Sequence, residues 1–168
     1  LVVNPALGIR DLSGFLSLAR SRPEETISYV TLGRGASSHL AGIELDRLAG
    51  VRLLAVAYRG NGEALQDLLA GHVNAWFAPV PSVSELVKSG NLIALGVTGP
   101  TRSASLPDAP TLDESGLKGF DVRLWVGLFA RAGIPADVQG VFDRALEKAM
   151  NSGTYKATLD AQGIEPFN

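Results

Sequence analysis

Residues Thr31 to Gly42 read "TLGRGASSHLAG", and this stretch decides the fold. The residues before it, Ile27–Thr31, are apolar and β-branched enough for a short strand. Those after it, from about Ser38 to Ala49, carry apolar residues at helical spacing and stop at Gly50. Strand, glycine-bearing turn and helix start make one βα unit of an α/β sheet.

The same alternation extends in both directions. Strands are expected at Leu1–Asn4, Ile27–Thr31, Leu53–Ala57, Val73–Phe77, Leu92–Val97 and Val122–Ala130. Helices are expected at Leu12–Ser21, with Asp11 as N-cap and Pro23 as the stop, and at Glu63–Ala70 and Ser82–Ser89. Gly50, Gly71 and Gly90 stand where a helix ends on a left-handed residue. The expected fold class is therefore α/β, a mainly parallel sheet flanked by helices. From Thr98 to Leu117 periodicity is lost in an ordered loop with three prolines, the best boundary signal in the chain. Beyond it come a helix opening at Pro135, with Val138, Val141, Phe142, Leu146 and Ala149 on one face, and another at Tyr155–Ala161.

Composition removes several function classes. The chain has 168 residues, 46% of them hydrophobic, which suits one compact α/β domain with a sizeable core. A net charge of −2 offers no basic face for a nucleic-acid backbone. There is no cysteine to build a disulfide or a thiolate metal site. No apolar run reaches the ~18 residues of a membrane-spanning helix. Because Leu1-Val2-Val3-Asn4-Pro5 opens in the middle of a strand pattern, the expectation is a soluble fragment of something longer.

In a parallel sheet, ligands bind at the carboxyl ends of the strands. Three strand-to-helix junctions stand there: Leu32–Ser38, Tyr58–Gly62 and Ala78–Ser82. Glycines in the first two let backbone N–H groups face a ligand, and the helix starts add unpaired donors for an anion. The alternative, that the glycines only make turns and Ser37 or Ser38 only caps a helix, stands equally open. A dinucleotide fingerprint fits less well, because Ser38 occupies its third glycine position and Leu53–Ala57 runs into Tyr58 and Arg59 rather than an acid. Ser38 and His39 are adjacent on a helix, so their side chains diverge, and no nucleophile elbow is present. His72 reads as a surface residue, Trp76 and Trp125 as core.

The segments "GRGASSHLAG", "AYRGNGEALQDLLAGHVNAWFAP", "VKSGNLIALGVTGPTRSASLPDAPTLDESGLKGFDV" and "WVGLFARAGIP" occur in the order and spacing of one family. The chain resembles the extracytoplasmic solute receptors of the tripartite tricarboxylate transporters, the Bug proteins, over essentially its whole length. The resemblance implies a type II periplasmic-binding fold. Residues 1–120 correspond to its second α/β domain, and 121–168 to a crossover strand and C-terminal helices that return to a first domain. It further implies no enzymatic activity, cofactor or metal. The implied role is capture of a small organic carboxylate in the periplasm for the permease subunits of the transporter. The alternative is the ligand-sensing effector domain of a regulator with the same fold. The family's loop falls on Gly33, Arg34, Gly35, Ala36, Ser37, Ser38 and His39, and its Tyr-Lys-Gly turn on Tyr58, Arg59 and Gly60. Ala78 stands where many members carry Asp, which argues against amino-acid ligands. Of these, Arg34 is expected to be solvated and His39 to steady the loop. The apolar face beginning at Val138 is expected to be covered by self-association of the chain.

Overall fold

The computed structural model describes residues 1–22, 26–125 and 127–162. Five strands form one sheet: β1 (Val2–Val3), β2 (Ser28–Thr31), β3 (Leu54–Ala57), β4 (Ala75–Trp76) and β5 (Ile93–Ala94). Their spatial order is β3-β2-β4-β1-β5. β2 pairs in parallel with both β3 and β4, while β1 is antiparallel to its neighbours β4 and β5. Four strands therefore point one way and β1 alone is reversed. The helices α1 (Leu12–Ser21), α2 (Ser37–Ala49), α3 (Asn61–Ala70) and α4 (Val80–Lys88) connect them.

The period-two alternation of a strand sends successive side chains to opposite faces, and both faces here are covered. Tyr29, Ala75 and Phe77 pack with Leu12, Phe15 and Leu16 of α1 and with Ala41 and Leu45 of α2. Val30 and Trp76, one residue out of phase, pack with Ala64 and Leu68 of α3 and Val83 of α4. Trp76 is 1% exposed, the core residue its sequence context suggests. Phe77 meets Tyr29 edge-on at 6.0 Å and stacks on Phe120 at 6.5 Å.

The helix ends follow their sequence signals. Asp11 accepts the Gly14 N–H at 2.7 Å, and Gly50 and Gly71 close α2 and α3 at φ 63° and 77°. Gly90 lies just past α4 at φ 77°. The stop expected at Pro23 lies outside the described residues. Helices α3 and α4 each begin two residues earlier than expected, at Asn61 and Val80. Their first turns carry glycine or proline, which weaken the periodic signal.

The long loop is no linker. Val97 and Leu112 exchange backbone hydrogen bonds with Pro110 and Val97, and Leu106, Leu112, Leu117 and Phe120 are buried. Thr111 and Glu114 bond reciprocally, Glu114 N–H to Oγ1 at 2.9 Å and Thr111 N–H to Oε2 at 2.7 Å. This is the capping-box pairing used to fix a turn.

The chain separates into two compact units, Leu1–Leu124 and Trp125–Asn168. In the second, α5 (Ala136–Met150) and α6 (Gly153–Gln162) are helical, as the patterns there suggest. The strand expected at Val122–Ala130 does not form among the described residues. A strand needs a ladder partner, and beyond the Val122 N–H, which bonds Thr98 at 3.0 Å, none is provided. Trp125, expected in the core, is 70% exposed and meets Phe129 edge-on at 5.9 Å. Val138, Val141, Phe142 and Leu146 of α5 are exposed too.

Gly42, the last residue of the opening motif, sits where α2 crosses β2. A Cβ built there lies 2.2 Å from Cζ of Tyr29 and 2.4 Å from its hydroxyl oxygen. Glycine to alanine inside a helix ordinarily adds up to about 1 kcal/mol of stability. At Gly42 the sign should invert, because overpacking costs ~1–3 kcal/mol. Denaturant melts of Gly42→Ala test this, and a variant as stable as the parent would contradict the packing described.

Candidate functional site

Because β2, β3 and β4 are parallel neighbours, the loops that follow them emerge side by side at one edge of the sheet. The Thr31 carbonyl accepts the Tyr58 N–H at 2.9 Å, tying the first two loops together at their roots. Leu1 also lies at this edge, its amino group 2.7 Å from the Gly96 carbonyl.

The β2–α2 loop is held by its own polar atoms. Thr31 Oγ1 donates to the Gly33 carbonyl at 2.9 Å and lies 3.2 Å from the Gly33 N–H. The Leu32 N–H meets Ser38 Oγ at 3.4 Å, and Ser38 is only 5% exposed. The Ala36 N–H bonds the Gly33 carbonyl, and the Gly35 N–H donates to His39 Nδ1 at 3.2 Å. His39 thus steadies the loop, with its hydrogen on Nε2 when neutral. Gly33 and Gly35 adopt φ of 120° and 83°, conformations that glycine alone enters cheaply.

This changes which amides are open. The N–H groups of Gly33, Gly35 and Ala36 are spent inside the loop, so the glycines shape it rather than face a ligand. The Arg34 N–H and the first-turn N–H groups of Ser37, Ser38 and His39 have no acceptor among the described residues. Ser37, half-buried at the first turn of α2, makes no side-chain hydrogen bond there either.

The next two helices also start without a side-chain cap. The residues preceding α2, α3 and α4 are Ala36, Gly60 and Pro79, and none supplies a side-chain cap. At the opposite edge, where β1 ends, Asn4 and Asp11 cap the turns that follow. Helices α2 and α3 therefore open with unpaired donors at one edge, a favourable place for an anion, whereas in α4 the Ser82 N–H bonds the Pro79 carbonyl at 3.0 Å and Pro81 has no N–H. Arg34 and Arg59 are exposed on the first two loops, and neither guanidinium has a partner among the described residues. Ala78 is half-buried on the third loop.

Tyr58 is tied to the helix that follows it. Its hydroxyl donates to Asp67 Oδ2 at 2.8 Å, and Asp67 Oδ1 lies 3.3 Å from His72 Nδ1. The phenol is pushed up to about 12, chiefly by burial and then by the Asp67 hydrogen bond. Asp67 is held below the usual carboxylate range by the phenol first and His72 second. Sequence reading grouped Tyr58 with Gly60. The Asp67 partner stands nine residues on, within α3, a spacing that carries no periodic signal in the sequence.

The chain belongs to the family described as the tripartite tricarboxylate transporter family receptor, whose model matches residues 1–168. Relatives include a UPF0065 protein of the tcbD–tcbE intergenic region of Pseudomonas sp. strain P51, 37% identical over 98% of this chain and 49% of its own. BugT of Bordetella pertussis is 30% identical over 99% of this chain and 51% of its own. The chain thus spans about half the length of these relatives. Among solved structures, Rpa4515 of R. palustris with adipate superposes with a TM-score of 0.84 at 26% identity, covering 98% of this chain and 55% of that one. MatC of Rhodopseudomonas palustris with bound malate gives 0.82 at 28%, covering 96% and 55%. The periplasmic binding protein BugD gives 0.81 at 28%, covering 96% and 54%. The family is one of receptors, BugD is a periplasmic binding protein, and the α/β sheet flanked by helices is shared with these solved structures.

The Tyr58–Asp67 bond is open to measurement. Asp67→Asn should bring the Tyr58 ionisation down towards the ordinary phenol range in a spectrophotometric titration. Tyr58→Phe and Asp67→Asn should destabilise non-additively, as partners in one bond do. Full additivity would show that the two groups act independently.

Proposed function

We propose that this chain supplies one side of the ligand cleft of a periplasmic solute receptor that captures a small organic carboxylate. The observation that carries the reading is the row of three uncapped helix starts at one sheet edge, in a family with solved members holding adipate and malate. A carboxylate placed against Arg34, Ser37, Ser38 and His39 satisfies donors that the fold leaves open, and gains from the positive end of the α2 dipole. Gly33, Gly35 and Ala36 hold that loop in shape, while Tyr58 and Gly60 place the second loop beside it.

Residues 1–120 act as the receptor's second α/β domain in this reading. Residues 121–168 lead back to a first domain, and relatives about twice as long supply its counterpart. Closure of the two halves holds the ligand, and membrane permease subunits receive it. On its own, the 168-residue chain associates with itself through Val138, Val141 and Phe142 of α5, since exposed apolar faces of this kind seek cover. The regulator reading gains nothing from the relatives, which are receptors.

Ala78 sets a limit on the ligand. An amino group beside it finds no counter-charge in a partly desolvated cleft, and an unmet polar group there costs ~1–3 kcal/mol. Thermal-shift measurements on the full-length protein test both statements. A bound acid at about 100 times its dissociation constant should add about 2.7 kcal/mol of stability. Succinate is expected to stabilise more than aspartate. The reverse order removes the Ala78 argument, and no response to any carboxylate removes the function.

A further inference from the structure

The three loops at the candidate edge differ in chemistry, and the strand order arranges the difference in a line. The β3–α3 loop carries Arg59, the β2–α2 loop carries Arg34 and the open amides, and the β4–α4 loop carries Ala78, Pro79 and Val80. From Val73 to Ser84 the chain has no titratable side chain. Ala78, Pro79 and Val80 are half-buried, and Phe77 beneath them is 7% exposed. Neighbouring strands stand about 4.8 Å apart, so the outer loops are separated by roughly 10 Å, the span of a small organic acid. One end of that span is cationic and the other is hydrocarbon.

Arg59 is well placed to act at the cationic end. The residue before it is held twice, by the Tyr58 N–H to Thr31 and by the Tyr58 hydroxyl to Asp67. The Arg59 N–H lies 3.5 Å from Glu63 Oε2, the acidic group of the α3 first turn. The Glu63 carboxylate is thereby turned to the backbone, and the Arg59 guanidinium makes no ion pair with it or with any other described residue.

We infer that Arg59 is a specificity-determining residue that clamps the ligand carboxylate from the β3 side, while the ligand's body lies on Ala78, Pro79 and Val80. The ligand is then an acid with an apolar aliphatic or aromatic body. A hydroxyl on that body meets no donor or acceptor side chain from Ala78 to Pro81 and loses hydration there without replacement. Adipate and malate, held by similar solved proteins, both need a partner for their second carboxylate beyond this wall, so they differ here only in the body, and the unsubstituted adipate type is favoured over the hydroxylated malate type. The inference rests on the carboxylate-binding reading above and adds the orientation.

Calorimetric titration of the full-length protein with succinate, adipate and malate tests it. Malate and succinate differ by one hydroxyl, so malate should bind about ten-fold more weakly. Arg59→Gln should weaken succinate about ten-fold or more, since a bond between charged groups is lost. Ala78→Ser, which gives the wall a hydroxyl, should narrow the gap between succinate and malate. Circular dichroism melts establish that each variant is folded. Malate binding as tightly as succinate, or an undiminished affinity in folded Arg59→Gln, overturns the inference and leaves carboxylate capture standing. Failure of all three acids to bind the parent protein overturns both.

Discussion

Parallel pairing of β2 with β3 on one edge and β4 on the other places three strand ends in a row. Burial of β2 on both faces keeps them there, because every residue from Ser28 to Thr31 packs inside the domain. The helices that follow must start at that edge and run back over the sheet. The first-turn amides of α2 and α3 are left unpaired, so a strand-pairing pattern becomes a row of hydrogen-bond donors. Gly42 permits the close crossing of α2 over Tyr29 that keeps the first of these helices in place.

The donors stay open because the residues before the helices are Ala36, Gly60 and Pro79. A serine or aspartate at each would have satisfied them locally, as Asp11 does for α1. Stability at the first turns of α2 and α3 is given up, and an external anion can return it. The loop that presents the first row is nevertheless well ordered, since Thr31, Ser38 and His39 use its remaining amides and carbonyls. Order in the loop and openness at the helix start are separate properties of the same seven residues.

Much of this was legible in the sequence. Helix α1, the three glycine stops and all five strand cores follow from periodicity and turn chemistry. The reversal of β1 was not legible, since direction depends on which strands become neighbours and not on the pattern within Val2–Val3. The Val122–Ala130 run carries strand composition, yet composition cannot supply a ladder partner. Trp125 was assigned to the core on the same ground, its residue type, and lies exposed. At the site, position was legible but the use of each amide was not. Gly33 and Gly35 announced a loop, while only the hydrogen bonds to Thr31 and His39 reveal that these glycines are structural. The Tyr58 hydroxyl is the same case, its partner standing nine residues on within α3.

The central claim is that the open amides at the edge formed by β2, β3 and β4 receive a carboxylate. Amide nitrogen–proton shift mapping of the full-length protein, titrated with succinate, reads this most directly. The account predicts that the largest shifts fall at Arg34, Ser37, Ser38 and His39, with smaller ones at Gly60 to Gly62. Binding accompanied by shifts centred on the opposite edge, around Asn4 to Gly8 and Gly71 to Asn74, with Arg34 to His39 unmoved, would contradict it.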